Sequence, residues 1–213
     1  MINHIDVSTV LRRTVCDLYS NLVTRPTGAA VRTEIETQVA ALPGPTLTVI
    51  DFSNVNLLDF SCADEIVAKL LLRFAGAGEP CDDGPPPPPR ESYFVFRGLQ
   101  DAHLDAIETV LERHGLALVA ESAGVAQLVG LVDDGERRAW EAVSRLGAAA
   151  AEDLAAATGE TVEDARRLLD SLARRRLVMR LEQSYVAVQA GGGAASPRPG
   201  SADGPEAPSE EAR

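Results

Sequence analysis

The sequence is poor in the residues on which metal sites, disulfides and membrane spans depend. It has three cysteines and three histidines in 213 residues, and none of them shows CxxC or other metal-like spacing. An odd number of cysteines argues against a disulfide framework, so we expect reduced thiols. No stretch reaches the roughly 18 apolar residues of a transmembrane helix, and the amino terminus lacks the pattern of a signal peptide. The composition predicts a cytoplasmic protein that holds neither metal nor cofactor.

Positive charge is also scarce, and Lys69 is the single lysine. The formal net charge is −12, and residues 1–135 carry most of it, with 9 basic against 19 acidic side chains. A surface of this charge repels nucleic acid and anionic membranes at long range. We therefore expect no membrane partner, and no nucleic acid bound by the first part of the chain.

Apolar residues recur at helix-like and strand-like spacing up to about residue 134. Residues 46–52, "TLTVIDF", form a β-branched run without alternation, which is typical of a strand covered on both faces. The remaining predicted strands and the predicted helices alternate with it, which indicates an α/β sandwich of a mixed sheet and helices. The other predicted strands are 92–99 and one or two within 116–132, and the predicted helices are 7–22, 28–42, 61–74 and one that begins at Asp101.

From residue 135 to 189 the pattern changes to three short helices and a hairpin. The first two helices end at Gly147 and Gly159, and Thr161 caps the third with Asp164 three residues further on. The alternating segment "LVMRLEQSYVAV" then predicts a two-stranded ribbon. This order is that of a small winged helix-turn-helix domain.

Two segments have the composition of irregular chain. Residues 75–91 contain five consecutive prolines and several glycines, which predicts a surface loop with polyproline character. This loop is a spacer or, alternatively, a ligand for an SH3-like or WW-like partner. Residues 190–213 are rich in Gly, Ala, Pro and Ser and predict a disordered tail. We thus divide the chain into a lead-in with a helix (1–26), an α/β domain (27–134), the winged-helix-like domain and the tail.

A polar cluster at residues 59–65, "DFSCADE", lies where a buried strand gives way to a helix, the usual position of ligand sites in α/β proteins. Helix capping is the interpretation we favour, with Ser61 as the N-cap and Asp64 reaching back to it. A phosphorylatable or anion-sensing Ser61 is a second interpretation. Catalysis by Cys62 or by the pair Asp59 and Asp64 is a third, although Cys62 has no histidine or cation near it in sequence.

Residues 49–72, "VIDFSNVNLLDFSCADEIVAKLLL", resemble the central strand, loop and helix of STAS domains, the fold of the anti-sigma factor antagonists. They resemble more closely a STAS-like family of unknown function with an "LDF" strand and a "Ser-x-Ala-Asp-Glu" helix start. The resemblance covers about residues 15–132. It implies a four- or five-stranded sheet with helices mainly on one face, and a domain that binds other proteins. The antagonists accept phosphate on the serine after the loop aspartate, a position that Phe60 occupies here, and Ser61 is the only hydroxyl nearby.

The third helix of the C-terminal part would be the recognition helix of a DNA reader. Its first residues include Glu160, Glu163 and Asp164, which would face phosphate oxygens. The arginines that could offset them, and that are our candidate DNA contacts, are Arg166, Arg167, Arg174, Arg175 and Arg176.

The sequence as a whole favours a non-enzymatic regulatory adaptor in bacterial signalling or transcription control. Its candidate partner-binding or phospho-switch residues are Asp59, Phe60, Ser61, Asp64 and Glu65. A kinase or sigma-pathway regulator is a candidate protein partner, and a homodimer is also compatible with the sequence. The first alternative is a DNA-binding transcriptional regulator with a STAS-like sensor domain, and the second is a small enzyme that uses Cys62 or Asp59 and Asp64.

Overall fold

The computed structural model describes residues 2–15, 21–74 and 91–190. Within these ranges the chain is an α/β protein with a five-stranded mixed sheet, seven helices and a small C-terminal hairpin. The predictions for the proline-rich loop and the tail lie outside the described residues, apart from Glu91 and Ala190 at their ends. No helix in the described ranges is both long enough and apolar enough to cross a bilayer.

The strands are short and the helices are of ordinary length. The strands are β1 Ile2–Asp6, β2 Asn21–Leu22, β3 Thr46–Asp51, β4 Leu57–Leu58, β5 Ser92–Arg97, β6 Ala117–Ser122, β7 Val125–Gly130, β8 Val178–Leu181 and β9 Ser184–Ala187. The α-helical segments are α1 Val7–Thr14, α2 Arg25–Ala40, α3 Phe60–Ala63, α4 Lys69–Phe74, α5 Asp101–His114, α6 Asp134–Leu146, α7 Ala151–Thr158 and α8 Val162–Arg174. A π-helical turn, Asp64–Ala68, joins α3 and α4 into one helix.

The five-stranded sheet has the order β1-β3-β5-β6-β7. The first four strands are parallel, and β7 is antiparallel to β6. Ala123 and Gly124 connect β6 to β7 with positive φ angles of 50° and 78°, as a two-residue hairpin turn requires. The remaining strands form two small pairs, β2 with β4 and β8 with β9.

Alternate residues of the sheet belong to two separate cores. Ile50, Phe96 and Leu118 point to one face, where they pack with α1, α2, α5 and the helix of residues 60–74. Val49 and Val95 point to the other face. The expectation that residues 46–52 form a strand covered on both faces is therefore confirmed.

The second face of the sheet is covered by the C-terminal helices. One continuous apolar cluster includes sheet residues and the buried side chains of α6, α7 and α8. Its Trp140 indole donates a hydrogen bond to the Leu177 carbonyl at 3.0 Å, and Arg137 of α6 donates to the Leu128 carbonyl of β7 at 3.0 Å. The last three helices and the hairpin thus share a core with the sheet.

Several helix ends agree with the sequence pattern, whereas the amino-terminal region differs. The prediction of one helix over 7–22 is wrong, because α1 ends at Thr14 and Asn21–Leu22 pair with β4 as a strand. Thr161 caps α8, and Gly147 and Gly159 follow α6 and α7, as predicted. Strand β1 was not predicted. Only Ile5 within it is fully buried, so its sequence lacks the alternating or continuous apolar pattern of a strand. Helix α2 begins three residues before the predicted position 28, since Thr24 rather than Thr27 provides the cap and proline is well tolerated in a first turn.

Candidate functional site

The polar cluster at residues 59–65 begins with a helix cap. Asp59 has extended backbone angles, and its Oδ1 accepts hydrogen bonds from the Cys62 N–H at 2.9 Å and the Ser61 hydroxyl at 2.8 Å. The prediction that Ser61 is the N-cap is wrong, because the helix starts one residue earlier, at Phe60, and Ser61 lies inside its first turn. Asp64 does not reach back to the cap either, since its carboxylate contacts other elements.

The helix widens into a π turn immediately after the cap. This turn starts at Asp64 and Glu65, and π turns within α-helices occur frequently at functional sites. Helix α2 approaches closely here, because a Cβ at Gly28 would lie only 3.0 Å from the Cα of Cys62. A side chain at position 28 would therefore push α2 away from the start of this helix.

Asp64 and Glu65 form a buried polar network with basic side chains from three elements. The Nη1 of Arg25 lies 2.7 Å from Asp64 Oδ2 and 2.7 Å from Glu65 Oε1. The Nε2 of His114, at the end of α5, lies 2.8 Å from Asp64 Oδ1. The Nζ of Lys69 lies 2.5 Å from Glu65 Oε1. These carboxylates therefore connect α2, α5 and the helix of residues 60–74.

A third acid, Glu36, extends this network along α2. The Nη1 of Arg32 lies 2.8 Å from Glu36 Oε1, and the Nη1 of Arg73 lies 2.7 Å from Glu36 Oε2. The Nε of Arg32 is 3.4 Å from Glu65 Oε2, and these two buried atoms form no hydrogen bond among the described residues. The whole network thus contains three carboxylates and four permanent cations between packed helices.

The network keeps both site carboxylates ionised. Burial raises the pKa of Asp64, but hydrogen bonds from Arg25 and His114 outweigh burial, and its pKa lies below the ordinary value. Burial likewise raises the pKa of Glu65, and hydrogen bonds from Lys69 and Arg25 lower it by more. Since each carboxylate is buried and engaged by two or more basic side chains, this arrangement suits structural anchoring better than proton transfer.

Cys62 is poorly placed for nucleophilic chemistry. Its side chain is fully buried, and its thiol contacts the Thr24 carbonyl at 3.1 Å. Burial and the neighbouring Asp59 charge raise the pKa of this thiol to about 11. Only the thiolate attacks efficiently, and at pH 7 it would make up about one part in 10⁴.

Three apolar side chains at and near the start of the cluster are exposed. Val23 is 40% exposed, Leu57 45% and Phe60 36%. Strands β2 and β4 pair in parallel, with Asn21 opposite Leu57, and the Asp59 N–H donates to the Leu22 carbonyl at 2.8 Å. Val23 follows β2 directly and is two residues after Asn21, so continued alternation would place it on the same side as Leu57. We call Val23, Leu57 and Phe60 the apolar edge.

The predicted site residues thus separate into two groups. Asp59, Phe60 and Ser61 reach the surface beside the apolar edge, and the guanidinium of Arg113 lies 6.0 Å from the Phe60 ring. Asp64 and Glu65 are only 6% and 2% exposed and cannot be contacted directly by a partner. The surface at this site is therefore less acidic than its sequence indicates.

Sequence reasoning missed the partners of these residues. Arg25 is 39 residues from Asp64, and His114 is 50 residues from it. Leu57 lies in a strand of only two residues. The single local signal was the pair Thr24 and Arg25 before Pro26, which marks a helix start but does not indicate an ion pair.

Three of the five candidate DNA-contacting arginines lie on the exposed surface of α8. Arg166 is 3.7 Å from Glu152 of α7, and Arg167 forms an ion pair with Asp164. Arg174, at the end of the helix, is exposed. Two of these three arginines, Arg166 and Arg167, therefore have a carboxylate within ion-pair distance.

The other two arginines of this set are engaged in contacts within the fold. Arg175 forms an ion pair with the buried Glu136 and donates to the Leu131 carbonyl. The Nη1 of Arg176 lies 3.4 Å from Glu91, and its guanidinium lies 5.5 Å from the Tyr93 ring. Arg175 therefore joins the end of α8 to α6 and to the residue after β7, and Arg176 joins it to the start of β5.

Comparison with known proteins adds no relative. No family model, no curated protein and no solved structure matches the chain. Among the residues that the structure describes, no group of His, Cys, Asp and Glu has the arrangement of a metal site. The function is therefore inferred from the geometry of the chain itself.

Proposed function

We propose that this chain is a non-enzymatic regulatory adaptor of the bacterial cytoplasm. A STAS-like protein-binding module (27–134) is joined to a winged-helix-like module (135–189), and the pair acts in signalling or transcription control. The apolar edge is the observation that carries this proposal. Adjacent exposed apolar side chains on a rigid scaffold, next to polar groups, are typical of protein-docking surfaces.

The architecture supports both parts of the proposal. The segment that resembles STAS domains forms a central strand, a loop and a helix start, and the helices that precede residue 134 pack on one face of a five-stranded sheet. The C-terminal part has three helices followed by a hairpin, the order of a winged helix. In a protein with these two parts, one part can bind a partner protein and the other part can transmit that binding to a second target.

The polar network has a mechanical role in this function. Asp59 fixes the first helical turn, and Asp64 and Glu65 fasten the second turn to α2 and α5. Phe60 lies between these two anchors, so its ring is held in place before a partner arrives. Ordering the site in advance lowers the entropic cost of binding.

The charges around the apolar edge indicate the chemistry of the partner. Arg113 lies over Phe60, and Arg25 is 47% exposed at the rim of the site. A partner that inserts an apolar side chain and offers a carboxylate nearby would satisfy both features. The protein partner is therefore expected to present an apolar and acidic segment.

Ser61 offers a means of switching this site. Its hydroxyl donates to Asp59 at 2.8 Å and is partly accessible. A phosphate on Ser61 would remove this donor and bring nearly two negative charges next to Asp59. Phosphorylation is therefore expected to loosen the first turn and displace Phe60, which would release the partner.

Site-specific cross-linking in the native cytosol tests the docking proposal. A photoreactive phenylalanine analogue at position 23 should trap one discrete partner, whereas the same analogue at Val125, which is 69% exposed on β7, should not. Leu57→Ser should abolish the cross-linked product, and Leu181→Ser, at a 53% exposed site in the hairpin, should leave it unchanged. Equal products from positions 23 and 125, in folded variants, would refute the proposal.

A DNA-binding transcriptional regulator is the second candidate, and the exposed arginines of α8 are the observation that favours it. The carboxylates near Arg166 and Arg167, and the contacts that Arg175 and Arg176 make within the fold, weaken the case. Gel-shift measurements against genomic fragments at low salt decide between the two candidates. Retardation of DNA by the wild type that is lost in Arg166→Ala/Arg167→Ala would favour the transcriptional regulator. Complete absence of retardation by the wild type would rule the transcriptional regulator out.

A further inference from the structure

A cavity of about 250 Å³ lies at the end of the sheet opposite the apolar edge. Its walls come from the end of α4, from the first residues of β5 and β6, and from the turn that follows α8. This volume is close to the lower end of the range of ligand pockets, roughly 300–1,000 Å³. It suits a molecule of one or two rings.

The cavity exists because two neighbouring strands diverge. β5 and β6 have six residues each, but they pair at only three positions, from Val95 with Val119 to Arg97 with Glu121. The preceding residues of both strands line the cavity, among them Phe94 and Leu118. In the described part of the chain, the preceding residues of these two strands therefore do not pair with each other.

The walls of this cavity are mainly apolar. Leu71 and Phe74 contribute from the helix, Leu116 from the loop before β6, and Phe94 and Leu118 from the diverging strands. Such a surface favours a hydrocarbon body over water.

Three arginines, Arg174, Arg175 and Arg176, line the same cavity, and Arg175 is already paired with Glu136. Arg174 is exposed and has no ion-pair partner among residues 2–15, 21–74 and 91–190. The Nε of Arg176 is buried and lacks a hydrogen-bond partner in the same part of the chain, while its Nη1 remains 3.4 Å from Glu91. An unsatisfied buried donor beside an unpaired cation points to an anionic group, and arginine is well suited to a carboxylate.

We propose that this cavity binds a small apolar carboxylate, such as an aromatic acid. The hydrocarbon body lies between the diverging strands, and the carboxylate accepts hydrogen bonds from Arg174 and Arg176. This site is separate from the docking surface, because it lies at the end of the helix of residues 60–74, whereas the apolar edge lies at its beginning. A ligand here would contact both the sheet and the end of α8.

Isothermal titration calorimetry with two matched probes tests this proposal on the full chain. 2-Naphthoate and its neutral isostere 2-naphthamide differ in the charge of one group. We expect naphthoate to bind at one site per chain and about tenfold more tightly than the amide, because charge-assisted hydrogen bonds are stronger than neutral ones. Arg174→Gln should remove this preference, and Arg166→Gln, on the same helix but outside the cavity, should preserve it.

Cavity filling provides an independent arm. Leu71→Trp should weaken both probes at least tenfold while the thermal unfolding transition stays cooperative. Absence of saturable binding, equal affinities for the two probes, or equal effects of Arg174→Gln and Arg166→Gln would each overturn the proposal. If the probes bind only after residues 75–90 are replaced by a Gly-Ser linker, that segment is what fills the cavity in the native chain. This result would overturn the proposal as well.

Discussion

Replacing Asp59 by alanine removes the side chain that holds the first turn of the helix of residues 60–74. The Cys62 N–H and the Ser61 hydroxyl both lose their acceptor, at 2.9 and 2.8 Å. Loss of an N-cap costs about 1 kcal/mol and at most about 2. Loss of a negative charge at a helix N-terminus adds about 0.3–1 kcal/mol. We therefore expect Asp59→Ala to lower the free energy of unfolding by about 2 kcal/mol.

Asp59→Asn is the matched control for this substitution. Asparagine is an equally good cap and keeps an acceptor oxygen, so only the charge is lost. We expect this variant to lose about 0.5 kcal/mol, mainly through the helix dipole. The two variants together separate the hydrogen bonds of Asp59 from its charge.

Urea unfolding, followed by the fluorescence of the single tryptophan, Trp140, and by circular dichroism, measures both effects. With a denaturant slope of about 2 kcal/mol/M, a loss of about 2 kcal/mol moves the midpoint by about 1 M. Hydrogen bonds hold the pKa of Asp59 below its ordinary value despite burial, so its contribution is present above the unfolded-state pKa and declines as the pH falls through the folded-state pKa. The difference between wild type and Asp59→Asn should therefore shrink below about pH 4. An Asp59→Ala midpoint within experimental error of wild type, or one equal to that of Asp59→Asn, would refute this account of the cap.

Three further predictions concern the rest of the site and its support. Glu65→Gln should lower the free energy of unfolding by about 1–2 kcal/mol at pH 7, because partly exposed cations lose a buried partner. This loss should disappear in strong acid, where the wild-type carboxylate, whose folded-state pKa is lowered, becomes protonated as well. Identical urea midpoints of the two proteins at pH 7 would contradict the prediction. In a Cys16→Ser/Cys81→Ser background, Cys62 should react with Ellman's reagent at pH 8 only as fast as the protein unfolds, and rapid labelling of the native state would show that the thiol is accessible. Gly98→Ala should lower the free energy of unfolding, measured by thermal unfolding, by about 3 kcal/mol, since a Cβ there would lie 2.5 Å from the Ser53 backbone N. Gly115 has a similar φ but open space around it, so Gly115→Ala should lower it by only about 1 kcal/mol. Equal losses in the two variants would disprove the steric explanation.

Local signals in the sequence predicted much of this fold. The Thr161 cap, Gly147 and Gly159 act within a few residues of the helix ends that they define, and the β-branched run at 46–51 is buried throughout except at its last residue. Strand β1 was missed because Asn3 and His4 give it no apolar pattern. Its pairing with β3 forms only in the tertiary structure.

The site itself was predicted in position but not in character. The cluster of acids in "DFSCADE" suggested an acidic recognition surface, yet the two central acids are buried against Arg25, Lys69 and His114. Two of these three side chains, Arg25 and His114, come from helices distant in sequence, so no local pattern encodes the pairing. The π turn likewise has no known residue signature, and it affects which side chains of this helix face inward.

The common core of the sheet and the last three helices bears on how such a chain can change during evolution. Substitutions at Val95 or Val119 alter the surface on which Trp140 and its neighbours rest, so compensating changes are expected on both sides of that boundary. A recombination event that brought in a foreign C-terminal half would leave apolar strand residues facing an ill-fitting surface. The two halves are therefore expected to be inherited together rather than exchanged as cassettes.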